Sequence, residues 1–441
     1  MDVIVGFVLF TALIIGALIA GISTWIAIAA GCAVFFVIAL RRKFPAKELL
    51  RMGLAGAKGT LIVVEVLLVL GALTASWRSS GTIAFFVYHG VSMIEPHLFL
   101  ILTFLLSSFL SYALGTSFGV AGTLGVIFMT LARSGGVSPV ITGGVLLSGI
   151  LVGDRTSPLS STLILIANQT KTNSSENSRR LLKTGLVPFL VCTAAYAAMS
   201  YFNPIETVDK ALIAGYDRLF DLSPLLLIPV AIVVILPFLR VNVFVTLSLS
   251  TAAAFVLSVA LQHVSPARAL IEFFTGYTSP ASGISETLNG GGVVSMLDVT
   301  ILLLVSGVLT GILNGTDMMR GIRERSVDMA KKIGTFPAML IIGLCAGAVL
   351  CNQVLSVILT IEFFGDAEGD DEAGRRKTAL YVADSSQLVP AFIPWNVLGK
   401  VPRDFFGVGY GSTLYAFYFF AVPLYTLARS VISSRRSRSR A

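Results

Sequence analysis

The sequence predicts an all-α polytopic membrane protein of about 10–12 spans, built from two inverted halves whose helices are broken or fold back as re-entrant hairpins. Three observations predict it. Of the 441 residues, 55% are hydrophobic and only 13% charged, and a soluble fold of this length cannot hide that much apolar surface. The charges gather in short connectors between apolar runs. Several apolar runs also carry Gly, Pro and hydroxyl residues at membrane depth, where broken helix is tolerated only if it is buried in protein or lines a wet cavity.

The net charge of +8 fits connectors biased to the cytoplasmic side and gives no reason to expect a nucleic-acid partner. The basic tail, 429–441, ends in Arg435 to Arg440 and reads as a cytoplasmic anchor facing anionic lipid. The expected setting is therefore multi-pass in the cell membrane, with a cytoplasmic C-terminus and the bilayer as partner. The four cysteines lie scattered through apolar segments without metal-ligand spacing, and the three histidines are far apart, so neither a resident metal nor a cofactor is expected.

The elements follow in order. Val3–Ala20 and Ile22–Leu40 form an N-terminal helical hairpin, 1–58, closed on the cytoplasmic side by Arg41, Arg42 and Lys43 and prolonged by Lys47, Arg51 and Lys58. The first repeat, 59–202, opens with Leu61–Trp77, which contains Glu65. A break at Arg78 to Gly81 and a short segment, Ile83–Val91, follow. Leu98–Leu114 then runs into LGTSFGVAGTLG, Leu114–Gly125, read as an interrupted helix. The stretch Ser148–Thr170 comes next, then a polar connector with Lys171, Arg179, Arg180 and Lys183, then the span Leu186–Tyr201. Linking spans and a loop fill 203–298: a mixed-charge segment at 203–221, Leu225–Leu239, Val243–Leu261, and NGGGVVSML. The second repeat, 299–428, holds Val299–Leu313, a basic loop from Arg320 to Lys332, and Phe336–Leu350 ending in CNQVLS. A charged loop at 366–377, the broken Tyr381–Trp395 and the last span, Leu414–Leu427, complete it.

The halves echo one another. LGALTASW at Leu70–Trp77 resembles SGVLTGIL at Ser306–Leu313, with glycines 71 and 307 set 236 apart. GTS at Gly115 falls opposite CNQ at Cys351, again 236 apart. Asp154 and Asp384, each followed by a Pro, are 230 apart. Leu61–Trp77 leaves a basic loop whereas Val299–Leu313 enters one, so the repeats are expected to be inverted.

Ser148–Thr170 organises the chain. Asp154 sits between the apolar runs Val145–Val152 and Leu163–Ala167. Gly153 precedes it, and Pro158 follows within the hydroxyls Thr156, Ser157, Ser160, Ser161 and Thr162. An ionisable residue at a helix break inside the bilayer marks a functional site. Inverted repeats with broken helices and a midplane site are a common transporter build, so the chain reads as a secondary transporter.

These motifs resemble the NhaC-type Na+/H+ antiporter family of the ion-transporter superfamily. The matching pieces are ALTASWRSSGT near Trp77, ALGTSFGVAGTLGV near Thr116, GDRTSPLS at Asp154, NGGGVVSML at Gly291, CNQVLS at Asn352 and ADSSQLVPAFIPWN at Asp384, in the family's order. The resemblance implies exchange of Na+ for H+, with Asp154 and Asp384 among the ion-handling acids. The chain departs from the pattern at Ser161, Asn352 and Ala383, where the family typically carries acids. Some members exchange organic acids or amino acids, which is the alternative reading: a cation- or proton-coupled exchanger of a small carboxylate or amino acid. A homodimer is left open.

A carboxylate in a half-dry cavity can be neutralised by a proton or by a cation, but poorly by both at once, and that exclusion suffices for an exchanger. Na+ is hard and wants oxygen ligands. Thr116, Ser157, Ser161, Asn352, Gln353 and Ser385 could supply them, with Ser160, Ser117 and Thr123. Arg155 points about 100° round a helix from Asp154, as a permanent counter-charge or as a hook for a substrate carboxylate. Glu65 could be a second proton carrier or an acid facing a wet cleft.

Blander roles stand beside these. Asp154 could cap a helix, Asp384 could pair with Arg155, Asn352 and Gln353 could make ordinary interhelical hydrogen bonds, and the glycines could serve close packing. A third class, an intramembrane aspartyl protease with Asp154 and Asp384 as its dyad, is disfavoured. The GxGD pattern of such enzymes meets Leu151 here, and Ala383 stands where a Tyr-Asp pair needs tyrosine. No enzymatic activity is expected.

Overall fold

The computed structural model describes residues 2–93, 95–205, 210–280 and 288–438. Every regular element among them is a helix. In chain order these are α1 (Asp2–Ile19), α2 (Thr24–Arg41), α3 (Ala46–Ser79), α4 (Thr82–Met93), α5 (Phe99–Leu114), α6 (Ser117–Ser134), α7 (Pro139–Thr156), α8 (Ser161–Gln169) and α9 (Ser174–Phe202). Then come α10 (Lys210–Leu219), α11 (Pro224–Leu239), α12 (Val243–Ala260), α13 (Pro266–Thr275), α14 (Val293–Gly315), α15 (Arg320–Ile333), α16 (Thr335–Leu350), α17 (Gln353–Phe364), α18 (Glu372–Asp384), α19 (Val397–Phe406) and α20 (Phe417–Arg438). Among the described residues, 7 helices are long and apolar enough to cross a membrane: α2, α3, the Pro96–Leu114 stretch that includes α5, α6, α9, α12 and α14. The chain is a multi-pass membrane protein. Parts of the expected linking segment, 206–209 and 281–287, and the last three residues of the expected tail lie outside the described residues.

Charge misleads in several places; residues 372–377 of the expected charged loop, for one, open the helix α18. Lys47, Arg51 and Lys58 ride on α3, which runs unbroken from Ala46 to Ser79 across the expected boundary at 58. The basic stretch after Asp317 is not a loop but the helix α15, with Arg320, Arg323 and Arg325 exposed. Arg179, Arg180 and Lys183 belong to α9, which starts at Ser174 because Asn173 caps it, its side chain accepting from Glu176 N at 3.1 Å. Long basic side chains sit readily on an exposed helix face, so charge alone does not end a helix. The glycines of α3 serve contact: a Cβ on Gly56 would lie 2.1 Å from the Gly307 carbonyl of α14, so only small residues let these backbones meet.

Matching breaks recur along the backbone. Gly115 (φ +68°) ends α5 and Cys351 (φ +55°) ends α16, both left-handed. The next residues, Thr116 and Asn352, are extended N-caps of α6 and α17. Thr116 Oγ1 accepts from Gly119 N at 3.5 Å and Asn352 Oδ1 from Val354 N at 2.8 Å. Second breaks follow in each half. Between α7 and α8, Ser160 Oγ accepts from Leu163 N at 3.3 Å. Between α18 and α19, a 3-10 turn over Val389–Phe392 precedes Asn396, whose Oδ1 accepts from Leu398 N at 3.0 Å. Capping side chains of this kind satisfy amides that a broken helix would otherwise orphan.

Within each half the two breaks pack on one another. A Cβ on Gly115 would lie 2.6 Å from the carbonyl carbon of Leu159. In the second half, Val397 N donates to the Cys351 carbonyl at 3.0 Å and Asn396 Nδ2 to the Gly347 carbonyl at 2.8 Å. One residue before Asp154 the contact is tighter still. A Cβ on Gly153 would stand 2.1 Å from the backbone of Ser111 and Tyr112. Gly153→Ala must push α7 off α5, and the expected result is a loss of about 1–3 kcal/mol, read as a lower melting temperature in detergent.

Candidate functional site

Asp154 lies in the last turn of α7, almost fully buried. Its Oδ1 accepts from Ser160 Oγ at 3.4 Å, across its own break, and its Oδ2 accepts from Gln353 Nε2 at 3.2 Å, the first residue of α17 in the other half. The same Gln353 amide donates to the Gln387 carbonyl at 2.8 Å, and Gln387 Nε2 donates to the carbonyl of Asp154 at 2.8 Å. One acid is thus tied to breaks in both halves. Among the described residues its carboxylate has no ion-pair partner; its hydrogen bonds come from neutral side chains alone.

The next residue behaves differently. Arg155 is fully buried and reaches residues of α9, α18 and α20. Its Nε and Nη2 both reach Asp384 Oδ1, at 2.8 and 2.6 Å. Nη1 donates to the Leu181 carbonyl and to Tyr418 Oη, each at 3.2 Å, and Nη2 to Thr184 Oγ1 at 3.3 Å. Asp384 Oδ2 accepts from Thr426 Oγ1 at 2.7 Å. Asp384 thus shares no hydrogen-bond partner with the Asp154 carboxylate among the described residues; both of its carboxylate oxygens are engaged, and Arg155 is its counter-charge. A buried pair this close neutralises itself.

The other expected site residues divide. Ser157 is buried at the break and Thr116 half-buried at the neighbouring one, and both oxygens accept backbone amides. Asn352 is buried beside Gln353, with Oδ1 engaged in its cap. Ser385 is buried and donates to the Tyr381 carbonyl at 2.6 Å. Ser161 is exposed at the start of α8, because Ser160 takes the cap. Glu65 lies on an exposed face of α3. Gln387, Tyr418 and Thr426 were not anticipated. Gln387 was visible as a polar residue inside the SSQLVP break; nothing local distinguishes Tyr418 or Thr426 on the last helix. Among the described residues no group of three or more His, Cys, Asp or Glu could hold a metal ion.

Paired helix breaks beside a buried acid are a common build of secondary transporters. Sequence comparison agrees. The profile of the Na+/H+ antiporter family matches residues 149–428, and the chain belongs to that family. It is 23% identical over 385 residues to the malate-2H(+)/Na(+)-lactate antiporter of Bacillus subtilis, covering 86% of this chain and 82% of that protein. It is 24% identical over 382 residues to the Na(+)/H(+) antiporter NhaC of Alkalihalophilus pseudofirmus, covering 84% and 82%. To the arginine/ornithine antiporter ArcD of Halobacterium salinarum it is 25% identical over 357 residues, covering 78% and 73%.

Proposed function

We propose that the chain exchanges Na+ for H+ across the cell membrane, with Asp154 as the carboxylate that the two ions neutralise in turn. One observation carries the reading: Asp154 is buried at the seam between the halves, yet only neutral donors hold it. Desolvation penalises a bare buried carboxylate, so it favours one monovalent partner, and a proton and a cation exclude each other there. The repeats, inverted in the membrane, rock about this point in alternating access, with the basic C-terminus in the cytoplasm. In this reading Asp384 carries no ion and Arg155 latches the halves together.

The names of two relatives support a second reading, in which the same scaffold exchanges small carboxylates or amino acids. Arg155 is the natural hook for such a substrate, but its guanidinium already holds Asp384. Proteoliposomes under an imposed pH gradient separate the two. Proton flux is expected to depend on Na+, with a half-saturating Na+ concentration that falls as pH rises, because fewer protons compete for Asp154. Flux that follows malate, lactate or arginine and ignores Na+ supports the second reading.

A further inference from the structure

We infer that Gln387 supplies a ligand oxygen to the transported cation beside Asp154, and so sets the preference for cation over proton. The inference rests on the exchange at Asp154 proposed above, and it concerns a residue to which the family resemblance assigned no role.

Gln387 lies in the break after α18 and is fully buried. Its two amide atoms are told apart by chemistry. The atom 2.8 Å from the Asp154 carbonyl must be the nitrogen, because a carbonyl oxygen can only accept. Oε1 is then the other amide atom, which is buried and meets no donor among the described residues. Buried acceptors are nearly always paired, so an orphaned one calls for an explanation such as an ion.

The residue is also held from behind. Its main-chain carbonyl accepts from Gln353 Nε2, the amide that reaches Asp154 Oδ2. Two hydrogen bonds thus hold Gln387 to the main chain of Asp154 and to Gln353, and Oε1 remains the uncommitted atom.

A neutral, hard oxygen on a side chain bonded to the main chain of an acid that lacks a counter-ion is the kind of ligand a dehydrated alkali cation requires. The oxygen adds no charge, so the cation and Asp154 still sum to zero. A proton on Asp154 needs no further ligand. Gln387 therefore contributes to binding of the metal ion and not of the proton. The oxygens first expected to ligate are less free: those of Thr116, Ser157, Ser160 and Asn352 all cap backbone amides.

The test uses the purified full chain in liposomes, with Na+ as probe and with proton concentration varied separately. Gln387→Ala is expected to raise half-saturating Na+ by about tenfold. The maximal rate should stay within about threefold of wild type, and the half-saturating proton concentration should not move. Equal shifts for Na+ and protons overturn the inference, since Gln387 would then merely position Asp154. Unchanged Na+ dependence overturns it as well. Should Gln387→Ala fail to assemble, Gln387→Glu decides. It keeps an oxygen in place and adds a titrating charge, so its Na+ half-saturation should fall more steeply with rising pH than that of wild type; a wild-type pH dependence overturns the inference. A wild-type chain inert to Na+ removes the exchange reading and this inference together, whereas an active wild type with unaltered variants removes the inference alone.

Discussion

Asp154→Asn is expected to leave the protein assembled and to abolish the proposed exchange. Asparagine matches aspartate in size, and its carbonyl oxygen can still accept from Ser160 Oγ or Gln353 Nε2. It cannot take up a proton at neutral pH and offers no charge to a cation. The expected fall in Na+-dependent proton flux is about 100-fold or more, the order seen when a group that carries the proton is lost. Elution from a sizing column and the melting temperature in detergent should stay near wild type, because no ion pair is broken. Unaltered flux in this variant would remove Asp154 from the mechanism.

Asp384→Asn has the opposite signature, a large loss of stability. It leaves Arg155 fully buried with no anion, and breaking one side of such a pair costs about 3–5 kcal/mol. Replacing both partners with apolar residues, Arg155→Met with Asp384→Leu, is expected to restore most of that loss, since an isolated buried pair is close to neutral against a packed apolar substitute. The measurement is a double-mutant cycle on melting in detergent, with Arg155→Met and Asp384→Leu as its single variants and a coupling energy of about 0.5–3 kcal/mol expected for groups in contact. Additive losses would show that the contact between the halves is not what stabilises them. Exchange should remain detectable in the double variant, because the proposed ion path runs through Asp154.

Much of this architecture is legible in the residues, and the rest fails for identifiable reasons. The apolar runs mark the spans, and Gly, Pro and hydroxyl clusters mark the breaks. The spacing of 236 between GTS and CNQ is matched in the backbone by left-handed residues at Gly115 and Cys351. Local pattern cannot show which side chains meet across the halves. The periodicity says that Arg155 points away from Asp154; it does not say that Asp384, far along the chain, waits there. Ser160 and Ser161 look alike in sequence, yet one caps α8 and the other faces outward, a difference of one helical position. Glu65 is conspicuous in an apolar run, but only packing decides that its face of α3 is exposed.

The two halves share a plan and differ in their charges: one half's acid is matched by a base, the other's is not. Under the reading proposed here, a cycle built on that single unmatched acid carries one positive charge inward for each one outward. Such a machine feels the two concentration gradients and is indifferent to the voltage across the bilayer.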